Sequence, residues 1–416
     1  MWKLPETAFF GSFRTPYYFI FMPWNSTIQK SMDRETLSLI YDIFRFGFFI
    51  IFTGLHALLM AGLVLEWKRD KKAGIVSPLQ AAPVVSVIIP IHNEMLRMKG
   101  LLESLKLQEY KQAEIIFIDD RSTDGSGAAL QNFISENRTT GKPAMQLLSL
   151  NENPGLNRKQ YALARGIEAS GGEFILFTDA DCEVPPGWIA SMVKRMADPG
   201  TGVVLGPVLK KYAGRGFFHL YQCFEHAVRY MYLTASTGIG AAGGGFGNNL
   251  IVSRVCLDAI GGYGSVPPSQ TEDAALVSKI RSGSDYKIHC GIGADIHVMT
   301  QSESTWKALI TQTLRWNNGG LFSPDISTRF NFGFLMITIS MGIITIPVLP
   351  FIPSLWPLPL AVLVSMTANT IATLGLFGVS LPKKGAAYIV QCIFTPMYFT
   401  LLTILGLCGI KPKWKS

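Results

Sequence analysis

The sequence has few charged residues and no paired cysteines. Charged side chains make up 16% of its 416 residues, whereas hydrophobic side chains make up 48%. In a soluble domain, about a quarter of all residues are usually charged, so this composition argues against a protein surrounded entirely by water. The six cysteines are scattered and include no Cys-x-x-Cys pair, which argues against a disulfide framework and against a structural zinc site.

The sequence also lacks the basic stripe with interleaved aromatic side chains that is expected of a nucleic-acid-binding protein, although its net charge is +8. We therefore predict no nucleic acid partner. The basic residues lie instead beside apolar runs, at 68–72, 383–384 and 411–415. This placement is typical of the flanks of membrane-spanning helices, so a membrane is predicted as a partner.

Long apolar stretches account for the low charge content. A bilayer-spanning helix needs about 20 apolar residues, and four stretches meet this condition, at 43–65, 332–352, 356–379 and 386–410. A further aromatic stretch, at residues 9–24, is interrupted by one arginine and two prolines. We predict that it lies at the membrane interface.

The basic flanks predict an orientation. The cluster at 68–72 places the central region in the cytoplasm of an integral protein of the cell inner membrane or plasma membrane. Counting spans then puts 383–384 inside, which agrees, and the tail after residue 410 outside, which disagrees. The predicted units are an interfacial segment (1–42), a transmembrane helix (43–65), a basic linker (66–83), a cytoplasmic domain (84–330), about three transmembrane helices (331–410) and a basic tail (411–416).

The central region alternates predicted strands with predicted helices. This order is typical of an α/β fold with a mainly parallel sheet and right-handed crossovers. In such sheets, ligands bind outside the carboxyl ends of the strands. The predicted strands are 84–91, 114–118, 146–148 and 174–177, and the predicted helices are 96–107, 126–134 and 158–168.

Polar side chains follow three of these strands. Asn93 and Glu94 follow the first strand, Asp120 ends the second, and Asp179 and Asp181 follow the fourth. Helix capping is one explanation for Asn93 and for Ser122, Thr123 and Asp124 after the second strand, because these residue types are good N-caps. Capping does not explain the last pair, because the next predicted helix begins only near residue 186.

Asp179 and Asp181 form an Asp-x-Asp pair. In an extended chain, residues i and i+2 point to the same side, so the two carboxylates would converge. Two carboxylates this close repel each other unless a cation lies between them. Oxygen ligands suit Mg²⁺ or Mn²⁺, ions that often complete their shells with substrate phosphates. The pair therefore predicts a divalent metal and diphosphate site.

Six segments in a fixed order resemble a known family. They are 87–94 (VIIPIHNE), 118–124 (IDDRSTD), 179–181 (DAD), 247–249 (GNN), 271–273 (TED) and 312–316 (QTLRW). The chain resembles the membrane-associated family 2 glycosyltransferases, which include cellulose and hyaluronan synthases and ceramide glucosyltransferase. The resemblance implies a GT-A fold, a nucleotide-diphosphate sugar donor, expected to be a UDP-sugar, and an inverting transfer without a covalent intermediate.

The resemblance also implies residue roles on the donor side. Asn93, Glu94 and Asp120 would hold the nucleoside, while Asp179 and Asp181 would hold the metal and the diphosphate. Lys159 matches a basic position that the family often places near the nucleotide. A solvated lysine at a helix start is the alternative for this residue.

Asp273 is the implied catalytic base. An inverting transfer needs a carboxylate near the acceptor hydroxyl that attacks the sugar. The alternative is a simple helix start, where acidic side chains suit the helix dipole. The resemblance favours the base, and both interpretations can hold together. Glu272 is assigned to the acceptor side by the same resemblance.

Gln312, Arg315 and Trp316 stand at i, i+3 and i+4, so one helical face presents all three. By resemblance, Arg315 contacts the diphosphate, and Gln312 and Trp316 bind the acceptor. The alternative is an interfacial Trp/Arg belt beside the next membrane span. The glycine-rich segment 241–249 is expected to line the sugar and acceptor pocket.

The sequence thus predicts a metal-dependent, inverting transfer of a sugar to the hydroxyl of a membrane lipid or lipid-linked acceptor. A synthase that extends an extracellular polysaccharide is the alternative, but one span before the domain and three after it leave a closed polymer channel doubtful. A transporter or a non-catalytic nucleotide sensor is less favoured, because the predicted spans contain almost no ionisable residues.

Overall fold

The computed structural model describes residues 34–73, 82–138, 142–152, 157–214, 216–269, 271–321, 323 and 325–409. The predicted interfacial stretch at 9–24 and the predicted basic tail at 411–416 lie outside the described residues.

The first described element, helix α1, runs over Arg34–Ala73 and is longer than the predicted span of 43–65. The prediction of a basic linker from residue 66 is wrong up to Ala73, because these residues form the last two turns of the helix. The turns are fixed by contacts with the central domain. The carboxylate of Glu66 accepts a hydrogen bond from the Cys290 amide at 2.9 Å, and Asp70 pairs with Arg195 at 2.6 Å.

A seven-stranded sheet forms the centre of the domain, with the strand order β3-β2-β1-β4-β8-β6-β9. Only β8 runs against its neighbours, β4 and β6. The predicted α/β class with a mainly parallel sheet is therefore confirmed. The strands of this sheet are β1 Val85–Ile91, β2 Ala113–Asp120, β3 Ala144–Leu150, β4 Phe174–Phe177, β6 Thr201–Leu205, β8 Leu250–Ser253 and β9 Lys287–Cys290.

The strands at the centre of the sheet are apolar and rich in β-branched residues because helices cover both of their faces. Every residue of β1 except Pro90 is buried. The four predicted strands lie within two residues of their predicted limits. The helices of this region are α2 Lys99–Lys106, α3 Ser126–Glu136, α4 Arg158–Glu168, α5 Trp188–Arg195, α7 Arg254–Ala259 and α8 Glu272–Gly283.

A smaller sheet and a long helix join the domain to the apolar helices. Strands β5 Cys182–Glu183, β10 Val298–Thr300 and β7 Val208–Lys210 form the small sheet. Helix α6, Gly216–Gly238, packs between the domain and α1. Its Tyr230 hydroxyl lies 2.7 Å from the Leu205 carbonyl and 2.6 Å from the Gly291 carbonyl.

Within the described residues, four helices are long and apolar enough to cross a membrane: 35–73, 328–348, 353–377 and 384–407. They lie where the sequence predicts spans. The helix of the first span after the domain begins at residue 326, inside the predicted domain limit of 330. The corresponding elements are α10 Ile326–Thr345, α11 Pro357–Phe377 and α12 Thr395–Leu407, preceded by α9 Trp306–Leu321.

Candidate active site

The loops after β1 and β2 are tied to each other by hydrogen bonds. The Asn93 side-chain oxygen accepts from the Thr123 amide at 2.8 Å, and the Glu94 amide donates to the Ser126 hydroxyl at 3.0 Å. Asn93 also has a positive φ of 56°, which asparagine tolerates better than most residues. Asn93 therefore holds two loops together rather than capping a helix, and its role in nucleoside binding stays a prediction.

Asp120 ends β2 in a buried position, with only 2% of its surface exposed. One carboxylate oxygen accepts from Arg121 Nε at 2.8 Å. The other oxygen, Oδ2, is buried and has no hydrogen-bond partner within the described part of the chain. A buried acceptor of this kind is costly unless a donor reaches it. This atom is suited to bind an N–H or O–H group of a ligand.

Lys159 connects the residues that follow β4 with the residues around Asp273. Its ammonium group lies 2.8 Å from Asp179 and 3.1 Å from the buried carboxylate of Glu272. Burial disfavours the charged lysine, but the two carboxylates outweigh it and hold the pKa of Lys159 well above its usual value. Burial raises the pKa of Glu272, which the positive charge of Lys159 opposes. Lys159 is thus held in two ion pairs, which argues against the alternative of a simply solvated lysine.

Asp181 forms an ion pair with Arg97, a residue that the sequence does not single out. The Arg97 guanidinium also lies 3.5 Å from Glu94. Burial raises the pKa of Glu94 to about 7, with Arg97 opposing the shift and the carboxylates of Asp181 and Asp179 adding to it. The basic side chains around Glu94, Asp179 and Asp181 therefore do not fully compensate the negative charge of these three carboxylates.

The donor set fits a divalent cation that is shared with a ligand. Within the described ranges, no group of three or more carboxylate, thiol or imidazole side chains could hold a metal ion. Asp179 and Asp181 supply two carboxylates with hard oxygen donors, and Glu94 Oε2 is a buried oxygen with no hydrogen-bond partner among the described residues. Mg²⁺ and Mn²⁺ bind through one or two carboxylates when phosphates complete their shell.

Asp273 lies in the first turn of α8 and is held by backbone groups. The Gly247 amide donates to one carboxylate oxygen at 2.8 Å, and the Ala274 amide donates to the other at 2.8 Å. A Cβ atom on Gly245 would lie 2.7 Å from Asp273 Cβ, so the loop needs glycine to approach this closely. The predicted glycine-rich segment therefore packs directly against Asp273.

Gln312 belongs to a partly buried polar network that the sequence does not reveal. Its amide nitrogen donates to Glu303 at 2.9 Å, and its oxygen accepts from Lys210 Nζ at 3.4 Å. Lys210 is only 5% exposed, also donates to the Gln301 carbonyl at 3.1 Å, and has a pKa lowered by burial. The amide orientation of Gln312 is thus fixed from both sides.

Trp316 packs against α6. Its ring lies 5.5 Å from the His226 ring, and the Arg229 guanidinium lies 5.3 Å from its centre. These contacts argue against the interfacial belt as the place of Trp316. Arg315 is the neighbouring residue on α9 and is partly exposed.

Helix α9 also touches the loop that leads to Asp273. A Cβ atom on Gly319 would lie 2.9 Å from Thr271 Cγ2. This contact and the Lys159 bridge bring several elements together at one edge of the sheet. These elements are the carboxyl ends of β1, β2 and β4, the start of α8 and helix α9. The arrangement brings acceptor oxygens, cations and a fixed carboxylate to the same edge of the sheet.

Comparison with known proteins agrees with this architecture. The sequence matches glycosyl transferase family 2 over residues 86–260 and glycosyl transferase family group 2 over residues 174–407. The fold resembles that of a mannosyltransferase, PcManGT from Pyrobaculum calidifontis, whose structure was solved with GDP-Man and Mn²⁺. The TM-score is 0.50 at 20% identity, over 88% of this chain and 99% of the other.

Two curated relatives act on lipid-linked substrates according to their names. A β-1,3-glucosyltransferase of Campylobacter jejuni, acting on GalNAc(5)-diNAcBac-PP-undecaprenol, is 28% identical over 32% of this chain and 43% of its own length. An undecaprenyl-phosphate 4-deoxy-4-formamido-L-arabinose transferase of Pseudomonas aeruginosa is 33% identical over 27% of this chain and 32% of its own. These matches span less than half of each relative. With its GT-A fold and with more than half of its length matched by the family group, the chain belongs to the family 2 glycosyltransferases.

Proposed function

We propose that this enzyme transfers a sugar from a nucleotide-diphosphate donor to a hydroxyl of a membrane lipid or lipid-linked acceptor, with inversion at the anomeric carbon. The observation that carries the proposal is the bridge made by Lys159. It joins Asp179, on the donor side, to Glu272, the residue next to Asp273. This bridge supports a single site in which the proposed donor-binding carboxylates lie near the proposed base.

On the donor side, Asp120 accepts a hydrogen bond from the nucleoside through its unpartnered buried oxygen. Asp179 and Asp181 would hold a Mg²⁺ or Mn²⁺ ion. When bound, such an ion neutralises charge on the leaving diphosphate. Arg315 adds a cation that can contact phosphate oxygens through two parallel N–H groups.

On the acceptor side, Asp273 takes the proton of the attacking hydroxyl. The acceptor oxygen forms a bond with the anomeric carbon while the bond from that carbon to the diphosphate oxygen breaks, and the nucleoside diphosphate leaves. The amides of Gly247 and Ala274 orient the carboxylate.

A lipid acceptor is supported by a contact between the loop beside Asp273 and an apolar helix. Gly243, in the loop that packs on Asp273, abuts Thr328 in the first turn of the apolar helix α10. An acceptor hydroxyl held at the bilayer surface could therefore reach Asp273 without leaving the membrane. We place the domain on the cytoplasmic side, because the basic cluster at 68–72 ends the first apolar helix.

The test is a transfer assay with the purified protein in nanodiscs of native lipid. A panel of radiolabelled UDP- and GDP-sugars is supplied with Mn²⁺, and the products are separated by organic extraction. We expect label in the lipid phase, and none with Asp273→Asn. Asp258→Asn, on the exposed face of α7, is the matched control and should keep full transfer.

Two outcomes contradict the proposal. Label in a long polymer that resists organic extraction would replace the lipid acceptor with a growing polysaccharide. Transfer by Asp273→Asn at the wild-type rate would remove this residue as the base.

A further inference from the structure

Arg97 stands among the proposed metal ligands, although neither the sequence pattern nor the proposed reaction uses it. It lies in the turn between β1 and α2, where its guanidinium pairs with Asp181 and lies 3.5 Å from Glu94. Its backbone is fixed, because its amide donates to the Glu94 carbonyl at 2.9 Å and its carbonyl accepts from Gln301 at 3.3 Å. The side chain thus extends from a rigid base.

The surroundings of the guanidinium are strongly acidic. Partial desolvation lowers the pKa of Arg97, but the carboxylates of Asp181, Glu94, Glu303 and Asp179 outweigh it and raise the pKa above its usual value. The side chain is 43% exposed, so it can exchange one partner for another without crossing a packed core. A charged side chain on a rigid base, with room to move, is suited to follow a change of charge in the site.

The same oxygen of Asp181 that binds Arg97 belongs to the pair proposed to bind the divalent cation. One carboxylate oxygen cannot serve the guanidinium and the metal ion equally, because the two cations repel each other at this distance. Diphosphate oxygens offer Arg97 another anionic partner, and the planar guanidinium matches their geometry with two parallel hydrogen bonds.

We propose that Arg97 is a diphosphate-binding residue of the donor site that competes with the divalent cation for Asp181. The inference rests on the proposed function, in which Asp179 and Asp181 bind the metal. It assigns to Arg97 two effects of opposite sign. The residue weakens metal binding in the absence of a nucleotide, and it strengthens nucleotide binding in the presence of the metal.

A purely structural role makes a different prediction. If Arg97 served only to hold the β1 loop against Asp181, its removal would disorder the site and weaken the binding of both metal and nucleotide. The sign of the change in metal affinity therefore separates the two roles.

The experiment measures both affinities on the full chain in detergent, for wild type and for Arg97→Gln. Mn²⁺ binding without nucleotide is followed by the electron paramagnetic resonance signal of free Mn²⁺. UDP and GDP binding at saturating Mn²⁺ is followed by calorimetry. We expect Arg97→Gln to bind Mn²⁺ about fivefold more tightly and the preferred nucleotide about tenfold more weakly.

Two further variants sharpen the result. Arg97→Lys keeps the charge but not the two parallel donors, so it should leave Mn²⁺ affinity near wild type and still weaken nucleotide binding. Arg165→Gln removes one partner of an arginine–glutamate pair on the surface of α4 and should change neither affinity.

Failure of the inference and failure of the proposed function give different results. If the wild-type chain binds no Mn²⁺ with or without nucleotide, the proposed metal site is wrong. If the wild type binds Mn²⁺ and Arg97→Gln binds it equally or more weakly, the competition is absent and the inference is overturned. Unchanged nucleotide affinity in Arg97→Gln overturns the assignment to the diphosphate.

Discussion

The proposed donor side and the proposed acceptor side of the site are built in different ways. On the proposed donor side, Arg97 and Lys159 pair with acids from other loops, and these groups are partly exposed. On the acceptor side, backbone amides fix Asp273, and the buried Lys210 fixes Gln312. Mobile charge pairs can change partners when a charged donor arrives, whereas fixed groups are already placed for reaction. From this comparison we expect donor binding to change the ion pairs of the site and acceptor binding to leave them unchanged.

The largest expected effect falls on the acceptor side alone. Asp273→Asn keeps the shape of the side chain but cannot take a proton, so turnover should fall by about 10³-fold or more. Nucleotide affinity measured by calorimetry should stay within about twofold, because the residue lies across the Lys159 bridge from the donor carboxylates. A parallel loss of nucleotide affinity would contradict the division of the site into two sides.

Lys159 joins the two sides, so its replacement should affect both. Lys159→Met leaves the Glu272 carboxylate, only 6% exposed, without its cation. We expect destabilisation of about 2 kcal/mol, reduced from the value for a fully buried pair by solvent screening. Thermal unfolding measures the loss, and adding Glu272→Gln should restore most of it. Additive losses in the double variant would contradict a direct pairing.

The position of the Asp273 loop can be changed without touching the donor side. Arg281, on α8, donates to the Ala242 carbonyl at 2.6 Å and to Asp325 at 2.6 Å. Arg281→Gln should loosen the glycine-rich loop and lower kcat about tenfold, with nucleotide affinity unchanged. Lys279→Gln on the same helix is the control. An increase in the nucleotide dissociation constant would show that the loop also serves the donor side.

The smallest expected effect is a pH dependence on the donor side. The pKa of Glu94 is raised to about 7 by burial, so the folded chain holds a proton that the unfolded chain releases from about pH 4.5 upward. The free energy of unfolding therefore falls as the pH rises through this window. Glu94→Gln should stabilise the protein by about 1 kcal/mol more at pH 8 than at pH 5. Thermal unfolding in EDTA measures it, and equal shifts at both pH values would contradict the raised pKa.

The sequence predicts the elements whose patterns are local. The apolar runs of β1 and β2 and the acids that follow them are visible in the chain, and so are the spans after the domain. The ion pairs are not visible, because Arg97 meets Asp181 from 84 positions away and Lys210 meets Gln312 from 102. Single basic residues carry no pattern, so only the folded chain reveals them.

The same reason explains the error at the end of α1. Charges at 66–72 indicate the end of an apolar span, and the sequence alone gives no partner for Glu66 or Asp70. In the structure, Cys290 and Arg195 supply these partners, and the helix continues to Ala73. For the same reason, the sequence suggests helix capping for Asn93. In the structure its side chain binds Thr123, which belongs to another loop.

Helix α1 is much longer than a bilayer span requires. Its 40 residues extend about 60 Å at 1.5 Å per residue, roughly twice the hydrocarbon thickness of a bilayer. The end of this helix is hydrogen-bonded to the edge strand β9, so we expect it to hold the sheet at a set distance from the lipid. We therefore expect the fold to determine how far Asp273 lies from the lipid tails. We expect substrates to be selected by how far their hydroxyl projects from the hydrocarbon, as well as by the chemistry of the sugar.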